Sequence, residues 1–227
     1  METSDKEQGK KKISEVKTFP VPFALGENQG NLTINTDTSS KPSKEEIINQ
    51  AFKFHSQGNI LEAAKYYQYF INQGFKDHRV FSNYETILKG IGKLQEAELS
   101  LRKAIELKPE LADAHSNLGN ILRDLGKLKE AELSQRKAIE LNPNYAIAHS
   151  NLGNIMRDLG KLQEAELSQR KAIELKPDFA EAHLNLGIIL SNLGNLKGAE
   201  VSYRKAIEIK PNYTEAHTNL GNILSDL

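Results

Sequence analysis

The chain of 227 residues contains no cysteine. That excludes disulfides, thiolate zinc sites, iron–sulfur clusters and a cysteine nucleophile. Net charge is absent too, because 30 Lys+Arg balance 30 Asp+Glu. Without a general excess of cations there is no global attraction to nucleic acid or to an anionic membrane. No stretch approaches the roughly 18 consecutive apolar residues that a membrane span needs. The longest apolar run near the start, Phe19 to Leu25, is broken by Pro20 and Pro22 and is too short for a secretory core. These absences lead to the expectation of a soluble, cytoplasmic protein.

What is present is a period. Pro109, Pro143, Pro177 and Pro211 recur every 34 residues, as do His115, His149, His183 and His217, and Gly119, Gly153, Gly187 and Gly221. Residues 112–145 and 146–179 differ at six positions, so 34 − 6 = 28 are identical. With position 1 at Ala112, the units run 44–77, 78–111, 112–145, 146–179 and 180–213, followed by a partial unit, 214–227.

Each unit has the pattern of two helices. Leu118, Leu122 and Leu125 lie at i, i+4 and i+7, a single helical stripe. Gly126 follows as a residue free to take the left-handed conformation that ends a helix. Leu128, Ala131, Ala138, Ile139 and Leu141 form the apolar side of a second helix, which Pro143 stops. Asp178 with Glu181, and Asn212 with Glu215, have the spacing of a capping residue and a carboxylate three positions later.

Two helices in 34 residues, with glycine in the middle turn and proline at position 32, resemble the tetratricopeptide repeat (TPR) family. Gly119 at position 8, Ala131 at position 20 and Ala138 at position 27 match its small residues. The resemblance covers 44–227. It implies an all-α solenoid, a right-handed superhelix of helix-turn-helix repeats with the first helices along the inner wall. Two departures stand out. The family's aromatic at position 4 is His in four units and Phe81 in one, and its large apolar residue at position 24 is Gln135 or Gln169, from which looser packing is expected. Stacking of neighbours builds the core of such arrays, since one unit cannot cover its own apolar sides.

Residues 1–43 have six acidic and six basic residues and no period. Such a composition does not offset the entropy of ordering, so a disordered tail is expected there; Phe19–Leu25 and the basic run Lys10–Lys12 belong to it. At the other end the final helix has no partner helix. Leu220, Leu224 and Leu227 are therefore expected to be poorly covered, a route to self-association.

On a helix with about 100° per residue, positions 2, 5, 6, 9, 12 and 13 of the first helix gather opposite its apolar stripe. In 112–145 these are Asp113, Ser116, Asn117, Asn120, Arg123 and Asp124. Position 6 is asparagine in every unit: Asn49, Asn83, Asn117, Asn151, Asn185 and Asn219. Position 9 adds Asn120, Asn154 and Asn222. A carboxamide both donates and accepts, so a row of them can pair with the N–H and C=O groups of an extended peptide. Packed helices lie about 8–10 Å apart, so one rung meets roughly every third residue of a chain advancing about 3.3–3.6 Å per residue. Six bidentate rungs at about 1 kcal/mol per bond give ~12 kcal/mol gross, against an association cost of about 4–15 kcal/mol. The expected affinity is micromolar or weaker, tuned by Arg123, Arg157, Asp124 and Asp158 at the groove edge.

This row is similar to the asparagine-lined groove of O-linked N-acetylglucosamine transferase arrays, whose repeats also resemble the Ala-His-Ser-Asn-Leu run at 114–118. The chaperone-binding TPR subset instead needs cations at positions 2, 5 and 6. Here position 5 is Ser82, Ser116, Ser150, Leu184 or Thr218 and position 6 is asparagine, so capture of a C-terminal carboxylate is not expected.

The repeated histidines are spaced one helix diameter apart, too far to share an ion at about 2.0–2.1 Å, and are read as packing residues. The Glu-rich second helices alternate with Arg136 and Lys137 as a solvated face with helical charge pairs. No catalytic constellation, cofactor or metal site is expected. Glu85 stands at position 8, where later units have glycine, and burying a carboxylate there is costly. The expectation is a strained or locally opened 78–111 unit that Glu85→Gly stabilises. The chain is thus expected to be a scaffold binding extended peptides of a protein partner. The alternative is the substrate-recruiting arm of a glycosyltransferase- or sulfotransferase-type enzyme whose catalytic domain is absent.

Overall fold

The computed structural model describes residues 42–226. The expected tail, including Lys10–Lys12 and Phe19–Leu25, lies almost wholly outside the described residues, as does Leu227. The described residues form eleven helices and no strand: α1 (Lys44–Ser56), α2 (Ile60–Asn72), α3 (His78–Gly90), α4 (Leu94–Leu107), α5 (Ala112–Asp124), α6 (Leu128–Leu141), α7 (Ala146–Asp158), α8 (Leu162–Leu175), α9 (Ala180–Asn192), α10 (Leu196–Ile209) and α11 (Thr214–Asp226). Contacts divide them into two compact units, one ending at Phe75 and one starting at Lys76.

In the first unit α1 opens with a reciprocal cap. The Ser43 hydroxyl accepts from the Glu46 N–H at 3.3 Å, and the Glu46 carboxylate accepts from the Ser43 N–H at 2.7 Å. Aromatic rings fill the α1–α2 seam: Phe52 and His55 both lie against Tyr67, which is fully buried.

The second unit stacks four helix pairs and α11. Gly126 sits at φ 74° and lets the Lys127 N–H reach back to Leu122 O at 2.8 Å, while its own N–H bonds Arg123 O at 2.9 Å. This reciprocal pair closes the first helix and turns the chain into the second. The expected side-chain cap at Asp178 is not formed. Phe179 occupies the N-cap of α9 with no side-chain bond, which leaves Asp178 one residue too early, and its backbone carbonyl accepts from Ala180 N–H instead.

The small residues of the second helices, Ala97, Ala104, Ala131, Ala138, Ala165, Ala172, Ala199 and Ala206, are completely buried, so each pair closes without a gap. Ile121, Ile155 and Ile189 are also fully buried. Ile189 joins a cluster with Leu152, Met156 and Ala165, so position 10 of α9 ties that helix to the preceding pair, a contact that the stripe of leucines alone does not reveal. On α11, Leu220 is half-buried and Leu224 exposed.

Packing at position 24 is not loose. Gln135 and Gln169 are fully buried, and their amides stand 2.6 and 2.7 Å from where a Cβ on Gly119 or Gly153 would be. The missing side chain at position 8 is what admits the amide. Glu85 likewise sits in an unbroken helix: α3 runs from His78 to Gly90 with Glu85 only 3% exposed. The expected local opening does not occur.

Candidate functional site: the wall of first helices

In the second unit α5 packs against α7, α7 against α9 and α9 against α11, whereas consecutive second helices make no comparable contact. The stack is therefore tighter on the side of the first helices, and that side is its inner wall.

The position-6 asparagines stand at the same place on each first helix. Asn117 on α5 is exposed; Asn83 on α3, Asn151 on α7, Asn185 on α9 and Asn219 on α11 are half-buried. Asn49, exposed on α1, belongs to the other compact unit. Asn151 is partly committed, since its Nδ2 donates to Ser116 Oγ at 3.2 Å and links α7 to α5.

Position 5 does not line the groove on α5, α7 and α9, whereas Ser82 on α3 is half-buried and Thr218 on α11 is exposed. Ser116, Ser150 and Leu184 are 1%, 3% and 2% exposed and belong to the seam between helices, one step of rotation inward from position 6. Position 9 is half-committed. Asn120 Oδ1 accepts from Gln135 Nε2, and Asn154 Oδ1 from Gln169 Nε2, both at 3.1 Å. The same glutamine amides donate to the backbone carbonyls of Ser116 at 2.8 Å and Ser150 at 2.9 Å. With their oxygens engaged, Asn120 and Asn154 present mainly N–H donors. Asn222 on α11 is exposed.

Two otherwise matching units differ in one hydroxyl. Ser150 donates to Gln169 Oε1 at 3.0 Å, while Gln135 Oε1 has no partner. The neighbouring units also differ at position 34, where Tyr145 stands beside Asp113 and Ser116 and Phe179 is its counterpart in the next unit. Burial, followed by the bond to Asp113, pushes the Tyr145 phenol well above its ordinary value. Tyr145, Gln135 and Gln169 are thus parts of the wall that the periodicity did not single out.

At the groove edge Arg123 Nε bonds the Asp158 carboxylate across two repeats, and Arg157 reaches the same carboxylate at 3.2 Å. Asp158 is consequently a bridge between α5 and α7, and Asp124 is exposed. The repeated histidines each direct Nε2 to the proline carbonyl six residues earlier. His115 meets Pro109 O at 2.9 Å, His149 and His183 meet Pro143 O and Pro177 O at 3.0 Å, and His217 meets Pro211 O at 2.8 Å. Position 4 thereby fastens α5, α7, α9 and α11 each to the loop before it. No helix among the described residues is long and apolar enough to cross a membrane.

A family profile described as TPR repeat matches residues 88–126, 119–160 and 153–194, and one described as Tetratricopeptide repeat matches 180–213. Together they cover 88–213, more than half of the chain. No curated protein matches it significantly. Among solved structures, the chain is similar to YrrB, described as a TPR protein with an unusual peptide-binding site. The two share 24% identity at a TM-score of 0.66 over 82% of this chain and 93% of YrrB. MamA 41-end from Desulfovibrio magneticus RS-1 is similar at 20% identity and a TM-score of 0.68, over 77% of this chain and 99% of that one. A thermophilic TPR protein from Thermus thermophilus, TTC0263, follows at 19% and 0.64, over 81% and 100%.

Proposed function

Because this chain belongs to the tetratricopeptide repeat family, we propose that it is an interaction scaffold holding an extended peptide segment of a protein partner. The peptide runs along the wall of first helices, across the carboxamides of Asn83, Asn117, Asn151, Asn185 and Asn219. One observation carries this reading: an amide recurs at position 6 of every first helix, and Asn117 keeps it exposed to solvent. Mid-helix asparagine is a poor helix former, so its recurrence asks for a purpose outside the helix.

Asn120 and Asn154 add N–H donors, because Gln135 and Gln169 occupy their oxygens. Position 9 therefore favours ligand carbonyls, while position 6 serves both backbone groups. Backbone reading of this kind gives broad sequence tolerance. A peptide-binding site described for YrrB supports the same use of the fold.

The test is a peptide-library pull-down comparing the native protein with Asn117→Ala and with the triple variant Asn117→Ala, Asn151→Ala, Asn185→Ala. Asn117→Ala leaves the Asn151–Ser116 link in place, so it separates binding from stability. Loss of one or two bonds of about 1 kcal/mol each predicts a roughly 5- to 30-fold weaker capture for the single variant. Capture undiminished in both variants would overturn the amide ladder.

A further inference from the structure

On the outer side, ion pairs latch successive second helices together. Glu98 on α4 accepts from Lys127 at 2.8 Å, and Arg102 on α4 reaches Glu130 on α6 at 2.8 Å. The next junction repeats the device: Glu132 pairs with Lys161 at 3.3 Å and Arg136 with Glu164 at 3.8 Å. At the α8–α10 junction both partners are gone. Asn195 stands where Lys127 and Lys161 precede it, and Gly198 where Glu130 and Glu164 do. Asn195 turns inward to cap its own helix, with Oδ1 accepting the Gly198 N–H at 3.0 Å.

The consequences are local and graded. The side chains of Glu98, Glu132 and Glu166 are 10%, 16% and 25% exposed in that order. Arg170 retains its own-helix partner Glu166 at 2.8 Å, and among the described residues no second carboxylate replaces the one that Arg102 and Arg136 each hold. At the same junction a cavity of about 630 Å³ opens, with Arg170 and Ile173 on α8, Leu186 on α9, and Val201, Arg204 and Lys205 on α10 in its lining. Val201, 68% exposed, is a shorter residue than Leu133 and Leu167 at the same position. Arg204 and Lys205 are paired on their own helix, with Glu200 at 2.8 Å and Glu208 at 2.6 Å. The lining carboxylates Glu174 and Glu208 are each held by a lysine of their own helix, and Arg170 occupies the place from which Arg102 and Arg136 reach the next second helix.

We propose that this cleft is a second docking site, on the outer side of the array, for an amphipathic helix of a partner protein that carries a carboxylate beside an apolar side chain. The carboxylate takes the place of the missing glutamate against Arg170, and the apolar group covers Ile173, Leu186 and Val201. The latched junctions supply the template, because there a glutamate on a neighbouring helix makes that same contact. The site is independent of the asparagine ladder.

The probe is a labelled, stapled helical peptide with a leucine side and one glutamate a turn from its central leucine, titrated by fluorescence anisotropy. Asn195→Lys combined with Gly198→Glu restores the latch; the pair is needed because a Cβ at Gly198 would stand 2.8 Å from the Asn195 amide. This variant is expected to melt higher than the native protein and to bind the probe about tenfold more weakly or worse. Arg170→Gln is expected to weaken binding similarly at unchanged helix content, which keeps the test decisive should the double variant misfold. A probe with lysine in place of glutamate is expected to fail, and the triple asparagine variant to bind as the native protein does. Equal binding by the Arg170→Gln protein, or of the lysine probe, would overturn the proposal. So would binding of decanoate without binding of the peptide, which points to a small amphiphile. A concentration-dependent mass that disappears in the double variant would assign the cleft to a second copy of this chain and overturn it equally.

Discussion

Glu85 is the least comfortable residue of the second unit. It is 3% exposed, its Oε2 has no partner, and burial pushes its carboxyl pKa upward against the smaller opposing effects of Lys89 and Thr86. A carboxyl whose pKa is raised on folding binds more protons folded than unfolded, so stability falls as pH rises above the ordinary value of 4.5. Glu98 and Glu132 have the opposite sign: burial raises them, but bonds from Lys127 and Arg102, and from Arg136 and Lys161, outweigh it and lower both. Their contribution is full above the usual carboxyl range and is lost in more acidic solution. Glu85→Gln is therefore expected to raise the melting temperature at pH 7 and to flatten its decline between pH 5 and 7, as followed by thermal denaturation across that range. Glu85→Gly is a poorer probe, because mid-helix glycine costs about 1 kcal/mol. A melting temperature equal to or below the native value for Glu85→Gln would show that the buried carboxylate is compensated.

At the scale of one helix pair, the fit of Gly119 to Gln135 is the central contact. A methyl group on Gly119 would stand 2.6 Å from the Gln135 amide, so Gly119→Ala is expected to destabilise the protein by about 1–3 kcal/mol in chemical denaturation. Gln135→Ala in the same chain should recover part of that loss, and an additive double variant would argue against direct contact. The period of 34 residues makes the pairs themselves legible, since glycine, alanine and proline recur where turns, close contacts and stops are required. Position 5 was not legible in the same way. Serine at 116 and 150 reads as polar, but Leu184 at the same position in a later unit marks it as a buried place that accepts either. The place of Tyr145 beside Asp113 and Ser116 depends on packing that no single helical stripe encodes. The asparagine column was visible at once; its division into free, linking and donor-biased amides needed the packed neighbours.

Across the whole second unit, the outer latches are strong at α4–α6, weaker at α6–α8 and missing at α8–α10. Surface ion pairs are individually worth only about 0–1 kcal/mol, yet two at each of two junctions bias where a stack with nearest-neighbour coupling separates first. Hydrogen exchange is expected to be faster over α9–α11 than over α5–α8, read by peptide-resolved mass spectrometry, with the difference reduced when Asn195→Lys and Gly198→Glu are combined. Uniform protection along the array would refute this graded coupling. Units 112–145 and 146–179 are nearly interchangeable, whereas Asn195 and Gly198 belong to a single module. Excising 146–179 would shorten the rod by one step and carry the unlatched seam along with its owner, so that the gap would reappear beside α6. The break in the outer latches travels with one cassette, and rearranging the cassettes would set where along the stack the coupling is weakest.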